Sequence, residues 1–220
     1  MRRRRGASAG LVRGCCIGIL LVAALAGWAG FLVDRALAAP DLGAVPTGPS
    51  HGADQLAIAA ILGPQLAVQL AAGPHGVITL SERDLTIISG QHNPNPSAYR
   101  HLTVRVRDHL LVVSADVSVG PMTTTSVARV DVVLEGSAAQ PVLASHLESL
   151  DAGRLTLPGF LSDRYAAQIS RSTSLTALFG DSPVLRAAAA DLECVSVSAI
   201  GLSVGFHRPG VLPAPASCAS

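Results

Sequence analysis

Leu102-Thr103-Val104-Arg105-Val106-Arg107-Asp108-His109-Leu110-Leu111-Val112-Val113-Ser114-Ala115-Asp116-Val117-Ser118-Val119 decides the fold. Leu102, Val104 and Val106 alternate with Thr103, Arg105 and Arg107, and Leu111, Val113, Ala115, Val117 and Val119 continue the same period of two. Successive side chains of a strand point to opposite faces, so this pattern predicts two half-buried strands turning at Asp108-His109. The hairpin extends in both directions. After Gly120-Pro121, Val130, Val132 and Leu134 share one face of a third strand that Gly136 ends. Pro141 to Leu150 and Arg154 to Leu157 read as two more strands joined across Asp151-Ala152-Gly153, and Leu161, Tyr165 and Ile169 then recur at helical spacing.

Upstream of the hairpin, Val77-Ile78-Thr79-Leu80 reads as a short strand. Ser81-Glu82-Arg83-Asp84 follows with helix-cap spacing and leads into Leu85, Ile87 and Ile88, with Gly90 as the stop. Ala53 to Ala72 is apolar and uncharged after Asp54, and Gly63-Pro64 predicts a break into two short helices packed on the domain or lying at a membrane surface. Downstream, Pro183 to Ala190 reads as a helical turn. Val195, Val197 and Ala199, then Leu202, Val204 and Phe206, form two alternating runs around Gly201. The class is α+β, a long antiparallel meander with few helices.

The start of the chain supplies an address. Arg2 to Arg5 and Arg13 precede an uncharged, mostly apolar stretch from Gly14 to Val33. About twenty apolar residues span a bilayer as a helix, and clustered arginine keeps its own flank in the cytoplasm. The expected organisation is a cytoplasmic basic segment (1–13), a single-span anchor (14–33), a Pro/Gly/Ala-rich linker (34–52), an extracytoplasmic domain (53–208) and a disordered tail (209–220). A cleaved signal peptide is the rival reading, with Ala36-Leu37-Ala38 as its site. It is disfavoured by the length of the run and by Asp34, Arg35 and Pro40 around the site. Both readings export the domain and place it at the cell membrane or beyond.

Composition narrows the function classes. Five of sixteen arginines precede Gly14, leaving eleven against fifteen acids, a net of −4 that argues against nucleic acid as a partner. Cys194 and Cys218 are the cysteines outside the anchor. They pair in an oxidising compartment or stand as two unrelated thiols.

No catalytic or metal-ligating pattern emerges. Ser8, Ser50 and Ser203 each sit in a Gly-x-Ser-x-Gly match, but none has the strand before and helix after that a nucleophile elbow needs. The seven histidines lack ligand spacing, although His101 and His109 are placed to face each other across the hairpin turn. Asp54, Asp84, Asp116, Asp131, Glu148 and Asp151 read as caps and polar strand faces. No nucleotide-cradling glycine motif occurs, so no cofactor is expected. Arg100, Arg105 and Arg107, and separately Arg154, are candidate contacts for anionic headgroups.

Val77 to Leu85, the meander, and above all Gly153-Arg154-Leu155-Thr156-Leu157-Pro158 before a helical pattern resemble the YpmS-like proteins, over about His75 to His207. These single-span bacterial envelope proteins are similar in turn to LmeA-like phospholipid-binding proteins and the tubular lipid-binding superfamily. The resemblance implies a long curved sheet wrapping one or two helices and enclosing a groove for acyl chains, and it brings no catalytic residues. On that basis the expected function is non-catalytic binding of a lipid or other apolar ligand, with Leu85, Ile88, Leu155, Leu157 and Phe160 lining the groove. The alternative is a structural or adaptor module of the envelope, its core filled, that contacts another membrane protein.

Overall fold

The computed structural model describes residues 24–43, 46, 55–91, 93, 95–137, 140–160, 162–163, 191–214 and 218. Within these, residues 24–37 are helical (α1), and the order continues α2 (Gln55–Ala72), β1 (His75–Leu80), α3 (Glu82–Gln91), β2 (Tyr99–Arg107), β3 (Leu110–Val119), β4 (Met122–Ser137), β5 (Gln140–Ala152), β6 (Leu155–Thr156), β7 (Leu192–Ser198) and β8 (Gly201–His207). The strands form two antiparallel sheets, β1-β8-β7 and β2-β3-β4-β5-β6.

The α+β class and the antiparallel meander are as expected; a single continuous sheet is not what forms. The reason lies between β1 and β2. Ser81 closes a reciprocal cap with Asp84: the Asp84 N–H donates to Ser81 Oγ (3.2 Å), and Ser81 Oγ donates back to Asp84 Oδ2 (2.9 Å). That cap starts α3 directly after β1, where satisfied N-terminal donors favour a helix over a continued strand. From one face of α3, Glu82 and Thr86 then occupy the outer edge of β2. The Val106 N–H donates to Glu82 Oε1 at 2.7 Å, and the Val104 N–H donates to Thr86 Oγ1 at 2.9 Å. Two side chains four residues apart thus take the place of a neighbouring strand. β1 pairs instead with β8, joining the two ends of the domain.

The core lies between the sheets. Ile78 and Leu80 of β1, Leu85 and Ile88 of α3, Val104 and Val106 of β2, Leu192 and Val197 of β7, and Leu202, Val204 and Phe206 of β8 form one cluster. Every residue of β8 is buried, as expected of a central strand covered on both faces. Gly201 opens that strand at φ +140°, and a Cβ there would run into the Leu80 carbonyl, so only glycine permits the approach.

α2 is one helix rather than two pieces, with Pro64 inside it. Leu62 and Leu66 are buried in the core on either side of the proline, and that burial outweighs the hydrogen bond the ring removes. Ile61 and Val68 on the outward side stay exposed. The C-terminal tail is also tied down. Cys194 and Cys218 form a disulfide, the Ala214 N–H donates to Glu193 Oε2 (3.0 Å), and Ser196 Oγ donates to the Cys218 carbonyl (2.9 Å). A tail read as free from its Pro/Ala/Ser composition is therefore pinned along the edge strand β7.

Residues 14–23 of the anchor expected at 14–33 lie outside the described residues, as do Leu161, Tyr165 and Ile169 and the Pro183–Ala190 turn, while residues 24–33 belong to α1. Among the described residues, no helix is long and apolar enough to cross a membrane.

Candidate functional site

The five groove candidates are not brought together. Leu85 and Ile88 are 3% and 2% exposed, inside the cluster that α3 makes with both sheets. Leu155 and Leu157 are half-buried at the opposite edge of the five-stranded sheet, four strands away from β2, and Phe160 beyond them is 74% exposed. α3 packs on the β2 edge whereas β6 lies on the β5 edge, so the sheet's width separates the two groups.

The polar candidates disperse in the same way. Arg105 lies buried on one face of β2, where Nη1 donates to Thr103 Oγ1 at 2.9 Å. Burial, then the neighbouring Arg107 charge, lower its pKa. Arg107 donates to Glu82 Oε1 at 2.8 Å, while Arg100 is exposed further along the strand. The expected basic edge is thus broken up, two of its members being held by internal partners.

His101 and His109 do not meet. His101 Nδ1 donates to Asp116 Oδ2 at 2.9 Å, and His109 Nδ1 contacts the Val197 carbonyl at 3.1 Å. His146 pairs with Glu135, and His75 with the buried Glu193, at 2.7 and 2.8 Å. Each of these four histidines has its own carboxylate or carbonyl, and among the described residues no group of three or more His, Cys, Asp or Glu side chains is placed to hold a metal ion. Ser203 sits in the middle of β8, not at a strand-to-helix turn, with its hydroxyl 3.0 Å from that of Thr79.

One constellation was not anticipated. The last turn of a helix leaves carbonyls without intrahelical donors, and at the end of α1 the five-stranded sheet supplies them. The Arg154 N–H donates to the Arg35 carbonyl (2.8 Å), Thr124 Oγ1 donates to the Ala36 carbonyl, and Arg154 Nε donates to the Ala39 carbonyl (2.9 Å). Gly153, at φ +58°, makes the approach feasible, since a Cβ there would collide with the Ala36 carbonyl. Its own N–H donates to the Thr125 carbonyl at 2.7 Å, so the β5–β6 turn is locked to β4 while it receives the helix.

The stretch 34–52 reads as a linker, but residues 34–37 are helical and the carbonyls of Arg35, Ala36 and Ala39 are fastened to the sheet. Gly153 and Arg154 were legible as a turn. That a helix end seats on them has no local signature, because the accepting carbonyls lie more than a hundred residues upstream.

Residues 24–31 of α1 are all exposed, with Leu25 and Trp28 at 63% and 62% and Phe31 at 54%. Arg35 stacks over the Phe31 ring, 5.4 Å from its centroid. An apolar helix surface, exposed among the described residues, leaves the sheet through a hydrogen-bonded joint. Comparison with protein-family models, with curated proteins and with solved structures found no match.

Proposed function

We propose that the chain is a membrane-anchored, extracytoplasmic bacterial envelope protein that binds a lipid or another apolar ligand without catalysis. The observation that carries this reading is the uncovered apolar surface of α1, continuous with the Gly14–Val33 stretch behind the arginine cluster. Water around the exposed Leu25, Trp28, Phe31, Val33 and Leu37 is unfavourable at ~25 cal/mol per Å², and a bilayer removes that cost. The outward side of α2, with Ile61 and Val68 exposed on an uncharged helix, adds a second apolar surface. The Cys194–Cys218 disulfide fits an oxidising compartment outside the cytoplasm.

A second reading, the envelope adaptor with a filled core, draws on a specific observation: Leu85 and Ile88 pack in a closed cluster rather than facing a groove. One preparation separates the two. The domain from His51 onward, secreted so that its cysteines pair, is extracted with organic solvent and the extract examined by mass spectrometry. Equimolar lipid recovered from folded protein supports the carrier reading, and a lipid-free extract from the same folded domain refutes it in favour of the adaptor.

A further inference from the structure

The joint at the end of α1 fixes more than attachment. Six residues separate Ala36 from Gly43, which lies against the Arg107 guanidinium, so the connecting segment runs back along the sheet instead of hanging free. The helix end is held from three sides: by the Arg154 backbone, by the Arg154 side chain and by Thr124. A single hydrogen bond would act as a pivot, whereas three bonds to carbonyls spread over residues 35–39 define a direction.

Distance then sets what lies next to the membrane. Val33, the last residue of the apolar stretch, is three residues before Ala36, about 4.5 Å along a helix axis. Met122, which opens β4, is two residues from Thr124, about 7 Å along a strand. The headgroup layer on one side of a bilayer is itself about 5–7 Å deep. Thr124, Gly153 and the β3–β4 turn all lie at the end of the sheet that receives α1. At this turn Gly120 and Pro121 are exposed, and Met122 is 45% exposed. Arg35 and Arg154, both exposed, stand at the same rim, beside Asp34.

We infer that the end of the five-stranded sheet formed by the β3–β4 and β5–β6 turns docks on the phospholipid headgroup layer, held there by the Thr124/Gly153/Arg154 collar around the end of α1. This rests on the anchor reading above. The occupant is the bilayer that α1 enters: the apolar residues of α1 leave the sheet at this end, and Leu25, Trp28, Phe31 and Val33 are exposed among the described residues. The far end of the sheet points away. Glu135 is eleven residues beyond Thr124 on β4, about 36 Å along the strand, and lies outside the reach of any headgroup.

The chain has a single tryptophan, Trp28, within α1, which makes depth measurable. The full-length chain is reconstituted in phosphatidylcholine/phosphatidylglycerol vesicles carrying brominated lipids, first with Trp28 as the reporter. Trp28→Phe chains carrying Met122→Trp or Glu135→Trp follow. Quenching of Trp28 by deep bromines, with emission lost at position 122 to shallow bromines and retained at 135, is the expected result.

Quenching of Trp28 with equal emission at 122 and 135 overturns the docking and leaves the anchor standing. An unquenched Trp28 overturns both. Gly153→Ala, and separately the pair Thr124→Val with Arg154→Ala, should abolish the quenching at 122 while Trp28 stays quenched. The pair leaves the Gly153 turn intact and covers the case in which Gly153→Ala disturbs folding. Unchanged quenching at 122 in the folded pair variant overturns the collar's role.

Discussion

Glu82 is the residue whose removal most directly tests how the two sheets are kept apart. Its carboxylate is nearly buried, 5% exposed, and accepts from the Val106 N–H (2.7 Å) and the Arg107 guanidinium (2.8 Å). Glu82→Ala removes the oxygen that accepts both bonds and strands a buried backbone donor on the outer edge of β2. A hydrogen bond to a charged group contributes about 1.5–3 kcal/mol, and an unsatisfied buried donor costs about 1–3 kcal/mol. Arg107, 40% exposed, recovers part of its loss from water, so the net is about 3 kcal/mol.

In a domain of this size that lowers the melting temperature by about 6–12 °C. Glu82→Gln retains an oxygen for Val106 and loses only the charge, at about 1 kcal/mol or 2–4 °C. Calorimetry gives the two shifts, and amide hydrogen exchange locates them: the Val106 amide should lose protection in Glu82→Ala while Val104, held by Thr86, keeps it. A melting temperature within about a degree of the parent, or an unchanged Val106 amide, would show that the side chain does not serve as β2's neighbour.

The other expectations concern the tail and acid sensitivity. Reducing Cys194–Cys218, which spans 24 residues, should cost about 3.5 kcal/mol by the loop-entropy relation, seen as a fall of roughly 7–14 °C in melting temperature under reductant. No shift would mean that Glu193 and Ser196 alone hold the tail. Asp116 is held below the usual carboxylate range, first by its hydrogen bond from His101 and then by that from Thr125. A depressed folded-state pKa contributes stability above the unfolded value of about 3.9 that is lost as pH falls through the folded one. Thr125→Ala should therefore raise the Asp116 pKa and flatten the loss of stability below about pH 4. A carboxyl-carbon NMR titration identical to the parent's would contradict this.

The strands were legible because alternation writes itself into local sequence, although Arg105, Val112 and Ser114 on the opposite face are buried too, so β2 and β3 are not the half-buried strands that alternation predicts. Val104, Val106, Leu111 and Val113 alternate, and they do face the core. The Ser81–Asp84 cap was legible for the same reason, being complete within four residues. What was not legible depends on partners distant in sequence. The polar period-two pattern of β2 is the same whether its edge meets a strand or two helix side chains, so the split into two sheets had no signal. Pro64 gave a misleading one, since a proline reads as a break unless the burial of Leu62 and Leu66 is known. Among the site candidates, Leu85 and Ile88 were recognised as apolar and inward-facing, but hydrophobic spacing cannot tell a packed interior from a hollow one. Thr124, Gly153 and Arg154 were missed as a unit because their common target lies near residue 36.

The pairing of β1 with β8 sets a timetable for biogenesis. Thr79 and Ser203 stand side by side though 124 residues separate them, and β8 is the strand both neighbours require. A chain made from its N-terminus presents β1 long before its partner β8 exists, whereas the five-stranded meander, which does not pair with β8, is complete by Thr156. Sheets that depend on such distant contacts close late and slowly. β1 must therefore wait, its hydrogen-bonding edge open, until about residue 207 has emerged. Any truncation before β8 removes the central strand of the three-stranded sheet and leaves β1 and β7 with nothing between them, so that sheet depends on residues 201–207.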